Sequence, residues 1–125
     1  MTYQVLVIDD DRQVRETLHD VLDNAGYDVE VATDGNQGLQ IRRRHPVDVL
    51  ITDILMPNKE GIETIAEFRK SYPGTPIIAV SGGGRSGNMD FLMMAQMLGA
   101  DRILEKPIAP DDLLDAVGQL LCRAS

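Results

Sequence analysis

The sequence predicts a single α/β domain over residues 1–125, in which a parallel five-stranded sheet is covered by helices on both faces. Short apolar segments alternate along the chain with segments whose apolar residues recur at helical spacing. Such alternation favours a parallel sheet, because each helix carries the chain back across the sheet to the start of the next strand. A length of 125 residues suits one domain with one core region.

Five short segments have the composition of strands. Three of them are nearly continuous runs of apolar and β-branched residues, as expected of strands that are covered on both faces. Residues 28–32 instead alternate between apolar and polar, which is typical of a half-exposed strand. In chain order, the predicted strands are residues 4–8, 28–32, 47–52, 76–80 and 102–105.

The segments between the strands carry the periodicity and the end signals of helices. Apolar residues recur at helical spacing from Val14 to Ala25, and Gly26 is a typical helix stop. The last helix begins with Pro110, a favoured first residue, and has two acidic residues in its first turn. In chain order, the predicted helices are 14–25, the segment between the Asp34-Gly35 turn and Arg44, 61–70, 89–98, and the segment from Pro110 onward.

Composition and charge exclude several classes of protein. The chain is 43% apolar with a formal net charge of -8, and a charge of this sign argues against direct binding to nucleic acid. Its single cysteine, Cys122, cannot form an internal disulfide or a cysteine metal cluster. No apolar run reaches the roughly 18 residues of a membrane span, and the first residues lack the basic segment of a signal peptide. We therefore expect a cytoplasmic protein with no membrane contact.

Polar residues stand at the carboxyl ends of the predicted strands. Ligands of open parallel sheets bind outside this edge, so these side chains are expected to share one site. Taken singly, Asp9, Asp11 and Asp34 are typical of turns or helix N-caps. The presence of polar residues at the ends of several successive strands nevertheless favours a site. The candidates are Asp9 and Asp10 at the first strand, Asp53 at the third, Ser81 and Gly82 at the fourth, and Lys106 and Pro107 at the fifth.

Carboxylates that lie close together need compensating positive charge. Two unit charges 4 Å apart repel by about 4 kcal/mol at an effective dielectric constant near 20. Mg²⁺ prefers one or two carboxylates together with water and phosphate oxygens, and it would supply that charge. Lys106 would neutralise a further charge. An acidic edge with a lysine and a serine therefore suits phosphoryl chemistry better than redox chemistry.

These motifs together resemble the receiver domain of two-component response regulators, the CheY-like family. Each motif is weak alone, but their order and spacing are specific, and the resemblance covers essentially the whole chain. It implies a flavodoxin-like (βα)5 three-layer sandwich with the strand order 2-1-3-4-5. The matching stretches are VLVIDDD with Asp9-Asp10, LITDILMPNKEG with Asp53, IIAVSG with Ser81, and ILEKPI with Lys106-Pro107.

The resemblance implies a role for each candidate residue. Asp53 would accept a phosphoryl group from the phosphohistidine of a sensor histidine kinase or a histidine phosphotransfer protein. The chain would then be no enzyme towards other substrates, because it would catalyse only its own phosphorylation and dephosphorylation. The implied Mg²⁺ ligands, which could also hold Mn²⁺, are Asp9, Asp10, Asp53 and the backbone carbonyl of Leu55. Ser81, Gly82 and Lys106 would contact the phosphoryl group. The peptide bond before Pro107 would be cis.

The chain departs from the family pattern in two places. Ile103 stands at a position where receivers often carry an aromatic switch residue, so a switch based on that side chain is not expected. The glycine-rich loop of residues 81–90 is longer than usual, and we expect it to order on phosphorylation.

The output is expected to be partner binding. A downstream protein would dock on the face formed by the fourth predicted helix, the fifth strand and the fifth predicted helix. Met89, Met93 and Met97 share one side of the fourth predicted helix. They would either fill gaps in the core or form an adaptable partner surface, since methionine suits both.

Two alternatives remain open at the level of sequence. A receiver fold could act as a constitutive scaffold, although the complete set of acidic, serine and lysine residues argues against it. The Asp9-x-Asp11 pattern is also formally that of haloacid-dehalogenase-like phosphatases. Gln13 stands where those enzymes have Thr or Val, and the chain has no room for their cap domain.

Overall fold

The computed structural model describes residues 2–54, 61–82, 93, 96–97 and 99–124, with the backbone alone for the last two. Within these residues the chain alternates between strands and helices. The strands are β1 (Gln4–Ile8), β2 (Asp28–Ala32), β3 (Val49–Asp53), β4 (Ile77–Ser81) and β5 (Arg102–Glu105). The helices are α1 (Arg12–Asn24), α2 (Gly35–Arg44), α3 (Gly61–Ser71) and the C-terminal helix (Pro110–Ala124).

The strands form one parallel sheet in the order β2-β1-β3-β4-β5. The three inner strands pair in register along their length, with Leu6 opposite Leu50 and Ile51 opposite Ile78. The predicted fold class, a flavodoxin-like parallel sheet of this order, is therefore confirmed. The carboxyl ends of all five strands lie at one edge of the sheet, because every pairing is parallel.

Two apolar clusters cover the two faces of the sheet. Alternate residues of each inner strand point to opposite faces, so Val5 and Val7 belong to one cluster and Leu6 and Ile8 to the other. The first cluster packs under α1 and the C-terminal helix, and the second packs under α2 and α3. Burial on both faces explains why β1, β3 and β4 are nearly continuous apolar runs.

Helix starts follow the side-chain signals of the sequence. The Asp11 carboxylate caps α1 by accepting from the backbone N–H groups of Gln13 and Val14. Asp34 caps α2 in the same way by accepting from the N–H of Gln37 at 2.8 Å. Both aspartates therefore have the N-cap role that was considered for them from the sequence, and neither joins the candidate site.

Two strands begin later than the sequence indicates. β3 starts at Val49 rather than at Val47, because Asp48 pairs with the chain start instead of continuing the strand. The Asp48 carboxylate accepts from the N–H of Gln4 at 2.7 Å, and the Asp48 N–H donates to the Gln4 carbonyl at 2.8 Å. β4 begins and ends one residue later than predicted, so Ser81 is its last residue. β3 likewise ends one residue later than predicted, at Asp53.

At the amino-terminal edge of the sheet, Arg69 links the end of α3 to the starts of β4 and β5. Its guanidinium donates to the carbonyls of Pro73 and Thr75 and to the carboxylate of Asp101 at 2.8 Å, and it also contacts the carbonyl of Gly99. Asp101 in turn accepts from the N–H of Ile77 at 2.8 Å. These bonds fix the turn before β5 against the first residue of β4. Of the predicted glycine-rich loop 81–90, Ser81 belongs to β4, and residues 83–90 lie outside the described residues, as does most of the predicted helix 89–98.

Candidate functional site

Three side chains from three different strands meet at the carboxyl edge of the sheet. Asp9 follows β1, Asp53 ends β3, and Lys106 follows β5. The Nζ atom of Lys106 lies 2.7 Å from Oδ2 of Asp53 and 3.1 Å from Oδ2 of Asp9. The two carboxylates are almost completely buried, with 1% and 6% of their side chains exposed, whereas Lys106 is 21% exposed.

The backbone of Asp53 is held on both sides. The N–H of the next residue, Ile54, donates to the Val80 carbonyl at 3.0 Å, which continues the β3–β4 ladder past the strand end. The first residue of α3, Gly61, packs directly on the peptide of Asp53: an added Cβ would lie 1.9 Å from the Asp53 carbonyl oxygen. A glycine at this position therefore lets the helix start against the strand end that carries the carboxylate.

Asp9 is held equally firmly. Its N–H donates to the Ala32 carbonyl at 3.1 Å, and its Oδ1 accepts from the N–H of Asp11 at 2.9 Å. The second carboxylate oxygen, Oδ2, is buried and receives no hydrogen bond of good geometry from the described residues, although Nζ of Lys106 is near. This oxygen therefore relies on the nearby ammonium for compensation, and a second cation beside it would satisfy it further.

The shared environment shifts the pKa values of two of these groups. Burial is the main cause that raises the pKa of Asp9, and repulsion from Asp53 adds to it, while the Asp11 N–H and Lys106 act in the opposite direction. Burial alone would lower the pKa of Lys106. The hydrogen bonds and attraction of Asp53 and Asp9 outweigh that effect, so the Lys106 pKa is raised. At neutral pH the lysine is therefore an ammonium between two carboxylates.

The donor set fits a hard divalent cation. Carboxylate oxygens of Asp9, Asp10 and Asp53 lie within 4.8 Å of one another, and Asp10 is exposed while the other two are buried. A group of three carboxylates with one solvent-facing member suits Mg²⁺, which keeps several water ligands. The buried Oδ2 of Asp9 has a poorly aligned contact with the Lys106 ammonium at 3.1 Å, which leaves it able to contact a metal ion as well. Leu55, whose backbone carbonyl completes the expected ligand set, lies outside the described residues.

The remaining expected residues stand around this centre. Ser81 is buried at the end of β4, and Gly82 follows it at the surface. The Lys106 N–H donates to the Ser81 carbonyl at 3.0 Å, and the Lys106–Pro107 peptide bond is cis. Ile103 is half-buried in β5, where it faces Ala79 and packs against the α2 and α3 side of the core.

Sequence reasoning did not single out Arg15. Its guanidinium NH1 donates to the Asp9 carbonyl at 2.9 Å, from the second turn of α1. Arg15 lies four residues after the N-cap Asp11 and next to Val14, which packs against the core. Its contact is with a backbone carbonyl, which every residue supplies, so the sequence carried no signal for it.

We expect Asp9→Asn to stabilise the protein in the absence of divalent cations. The raised pKa means that the charged form of Asp9 costs free energy in the folded state, whereas an asparagine can still accept from the Asp11 N–H. The free energy of unfolding at pH 7, measured with urea and a chelator, should therefore rise, because the charged carboxyl that is penalised by burial is gone. The gain should shrink as the pH falls through the folded pKa towards 3.8, because Asp9 is then protonated in the parent as well.

Asp10→Asn is the matched control for that measurement. Asp10 is exposed, so its replacement should change the free energy of unfolding by no more than about 0.5 kcal/mol. An Asp9→Asn variant that is less stable than the parent at pH 7 would show that the ion pair with Lys106 outweighs the cost of burial.

Helices long and apolar enough to cross a bilayer do not occur in the part of the chain that the structure describes. This finding agrees with the absence of long apolar runs in the sequence.

Comparison with solved structures gives close matches to the whole fold. A CheY-like receiver domain protein from Methanospirillum hungatei JF-1 superposes with a TM-score of 0.91 at 27% identity, over 99% of this chain and 97% of that one. The chemotaxis protein CheY4 of Vibrio cholerae superposes with a TM-score of 0.88 at 30% identity, over 97% of this chain and 100% of that one.

Curated relatives match over almost all of this chain but only part of their own. The transcriptional regulatory protein CpxR of Klebsiella pneumoniae subsp. pneumoniae (strain HS11286) is 36% identical over 121 residues, which are 97% of this chain and 50% of CpxR. The response regulator MprA of Mycobacterium leprae (strain TN) is 35% identical over 124 residues, which are 96% of this chain and 51% of MprA. The chain thus spans about half the length of the curated relatives it matches.

A family model gives the same result over nearly the whole length of the chain. The model of the response regulator receiver domain matches residues 5–118, which include the acidic residues after β1, Asp53, Ser81 and Lys106. With the sheet order and the structural matches, this shows that the chain belongs to the response regulator receiver domain family of two-component systems.

Proposed function

We propose that Asp53 accepts a phosphoryl group from a phosphohistidine and that this modification switches the binding of a partner protein. The observation that carries the proposal is the position of Lys106, whose Nζ lies within hydrogen-bond distance of the Asp53 carboxylate and beside that of Asp9. A carboxylate next to a fixed ammonium is equipped to attack a phosphoryl group and to tolerate the charge that it brings.

The reaction needs little covalent chemistry from the protein. An oxygen of the Asp53 carboxylate would form a bond to phosphorus, the bond from phosphorus to the histidine nitrogen would break, and its electron pair would return to the imidazole. Lys106 would neutralise charge on the phosphoryl oxygens, and the Ser81 hydroxyl would donate a hydrogen bond to one of them. Attack by water on the same phosphorus would release phosphate and restore the carboxylate, so the chain would act only on its own phosphoryl group.

We also propose that Asp9, Asp10 and Asp53 hold Mg²⁺, with Mn²⁺ as a possible substitute. Mg²⁺ bound there would neutralise negative charge on the transferred phosphoryl group and help to align it with the attacking oxygen. The burial of Asp9 and the exposure of Asp10 support this set, because they leave one side of the site open to solvent and to a donor.

The proposed partners are of two kinds. Upstream, a sensor histidine kinase or a histidine phosphotransfer protein would supply the phosphoryl group. Downstream, a protein would dock near β5 and the helices beside it. Met93 and Met97, which were expected either in the core or on a partner surface, are 56% and 83% exposed, and this supports the second alternative. We propose no direct contact with nucleic acid or membrane for residues 1–125, which would act as one domain in the cytoplasm.

Intact-protein mass spectrometry after incubation with a small phosphodonor tests the proposal. We expect a single phosphoryl adduct on the parent in the presence of Mg²⁺, far less with a chelator, and none on Asp53→Asn. Mass spectrometry is preferred because the chain has no tryptophan for a fluorescence assay.

Asp34→Ser is the matched control for Asp53→Asn. Asp34 follows another strand at the same edge, and serine keeps its N-cap role, so this variant should be phosphorylated like the parent. A phosphoryl adduct on Asp53→Asn would place the acceptor elsewhere. No adduct on the parent with small donors and with a panel of kinases would favour the constitutive scaffold.

A further inference from the structure

We propose that Arg15 is a positioning residue for the acidic site, a role that rests on the proposed Mg²⁺ site of Asp9, Asp10 and Asp53. Its NH1 donates to the Asp9 carbonyl at 2.9 Å, and the contact is partly buried. The Asp9 carbonyl and the Asp10 N–H belong to one planar peptide unit, so a bond to that carbonyl fixes the plane from which Asp10 departs.

Asp10 needs such support more than its neighbours do. Asp9 is buried, and Asp53 is the last residue of an inner strand, whereas Asp10 is exposed and lies in the short connection between β1 and α1. The peptide before Asp10 is held by Arg15, and the residue after it is held by the bond from the Asp11 N–H to Asp9 Oδ1 at 2.9 Å. Arg15 thus ties the first turns of α1 to the segment that would present the exposed ligand.

A positioning role and a purely electrostatic role of Arg15 predict opposite changes in Mg²⁺ affinity when the arginine is replaced. An arginine near a cation site repels the cation, so removing its charge should strengthen Mg²⁺ binding if charge were its only contribution. If Arg15 instead holds the ligand segment, its removal should weaken Mg²⁺ binding. Residues that orient metal ligands from outside the ligand set typically change metal affinity by about 10-fold or more when they are replaced.

Calorimetric titration of the whole chain with Mg²⁺ tests this inference. We expect Arg15→Gln to bind Mg²⁺ about 10-fold more weakly than the parent, and Arg15→Lys, which keeps a donor and the charge, to lie between them. Arg12→Gln is the matched control, because Arg12 lies on the same helix with an 82% exposed side chain and pairs with Glu16 rather than with Asp9. Its affinity should stay within about twofold of the parent, since solvent and salt screen that charge.

A second readout needs no metal. In the metal-free protein the amide of Asp11, which donates to Asp9 Oδ1, should exchange with solvent faster in Arg15→Gln than in the parent or in Arg12→Gln, and circular dichroism should show the same helix content in all three. Equal or tighter Mg²⁺ binding by Arg15→Gln would overturn the inference while leaving the metal site intact. Absence of Mg²⁺ binding by the parent itself would overturn the proposed metal site and this inference together.

Discussion

Gly61→Ala is expected to lower the free energy of unfolding by about 3 kcal/mol or more and to abolish phosphorylation of the fraction that still folds. The added Cβ would lie 1.9 Å from the Asp53 carbonyl oxygen and 2.4 Å from the Ile54 Cα. Both of these are backbone atoms of an inner strand end, so no side-chain rotation can relieve the contact. Either α3 moves away from the sheet or the backbone of Asp53 is displaced, and both outcomes alter the acidic site.

Two other helical glycines provide controls for Gly61→Ala, with the free energy of unfolding measured in urea. At Gly38 an added Cβ would meet Cδ1 of Ile8 at 2.3 Å, which is the end of a flexible side chain, so Gly38→Ala should cost only about 1 kcal/mol. At Gly118 no atom lies within 4 Å, and Gly118→Ala should stabilise the C-terminal helix by about 0.5–1 kcal/mol. A Gly61→Ala variant as stable as the parent would show that the start of α3 is free to move.

Lys106→Met is expected to slow phosphorylation from a small donor by about 100-fold at saturating Mg²⁺. The ammonium lies 2.7 Å from the Asp53 carboxylate, and methionine keeps the length of the side chain without the charge. Removal also leaves two buried carboxylates facing each other. Breaking a buried ion pair costs about 3–5 kcal/mol, but Lys106 is 21% exposed, so we expect a loss of about 2 kcal/mol at pH 7.

The pH dependence separates this loss from a general packing defect. The Asp9 carboxyl already has a raised pKa, and without Lys106 it should take up a proton still more readily. The stability difference between Lys106→Met and the parent should therefore shrink as the pH falls. Lys70→Met, at an exposed lysine near the end of α3, should leave both rate and stability close to those of the parent. A Lys106→Met variant phosphorylated at the parent rate would exclude the proposed role.

Most of the fold could be predicted because its signals are local. The strands 4–8, 28–32 and 102–105 have the bounds that the sequence indicates, and the stop at Gly26 appears as a positive φ of 98°. The start of β3 was less accessible, since Asp48 looks like part of an apolar run. Its removal from the strand depends on its bonds to Gln4, a partner 44 residues away.

The side chains that meet at the candidate site could be predicted from the sequence, but their geometry could not. Strand ends placed Asp9, Asp53 and Lys106 together, but the sequence could not show that one ammonium contacts both carboxylates or that Gly61 packs on Asp53. Arg15 and Arg69 were missed for a related reason. Arg15 bonds to a backbone carbonyl, which any residue supplies. Arg69 bonds to backbone carbonyls and to the carboxylate of Asp101, 32 residues away, so neither set of contacts leaves a local pattern in the sequence.

The charge balance of the site depends on residues that are far apart in the sequence. The pairing of β1 with β3 brings Asp9 and Asp53 together, whereas the ammonium between them follows β5, 53 positions after Asp53. The last strand of the sheet therefore supplies the counter-charge for the first and third strands. A change that loosens β5 at the edge of the sheet would disturb the acidic site without touching either carboxylate.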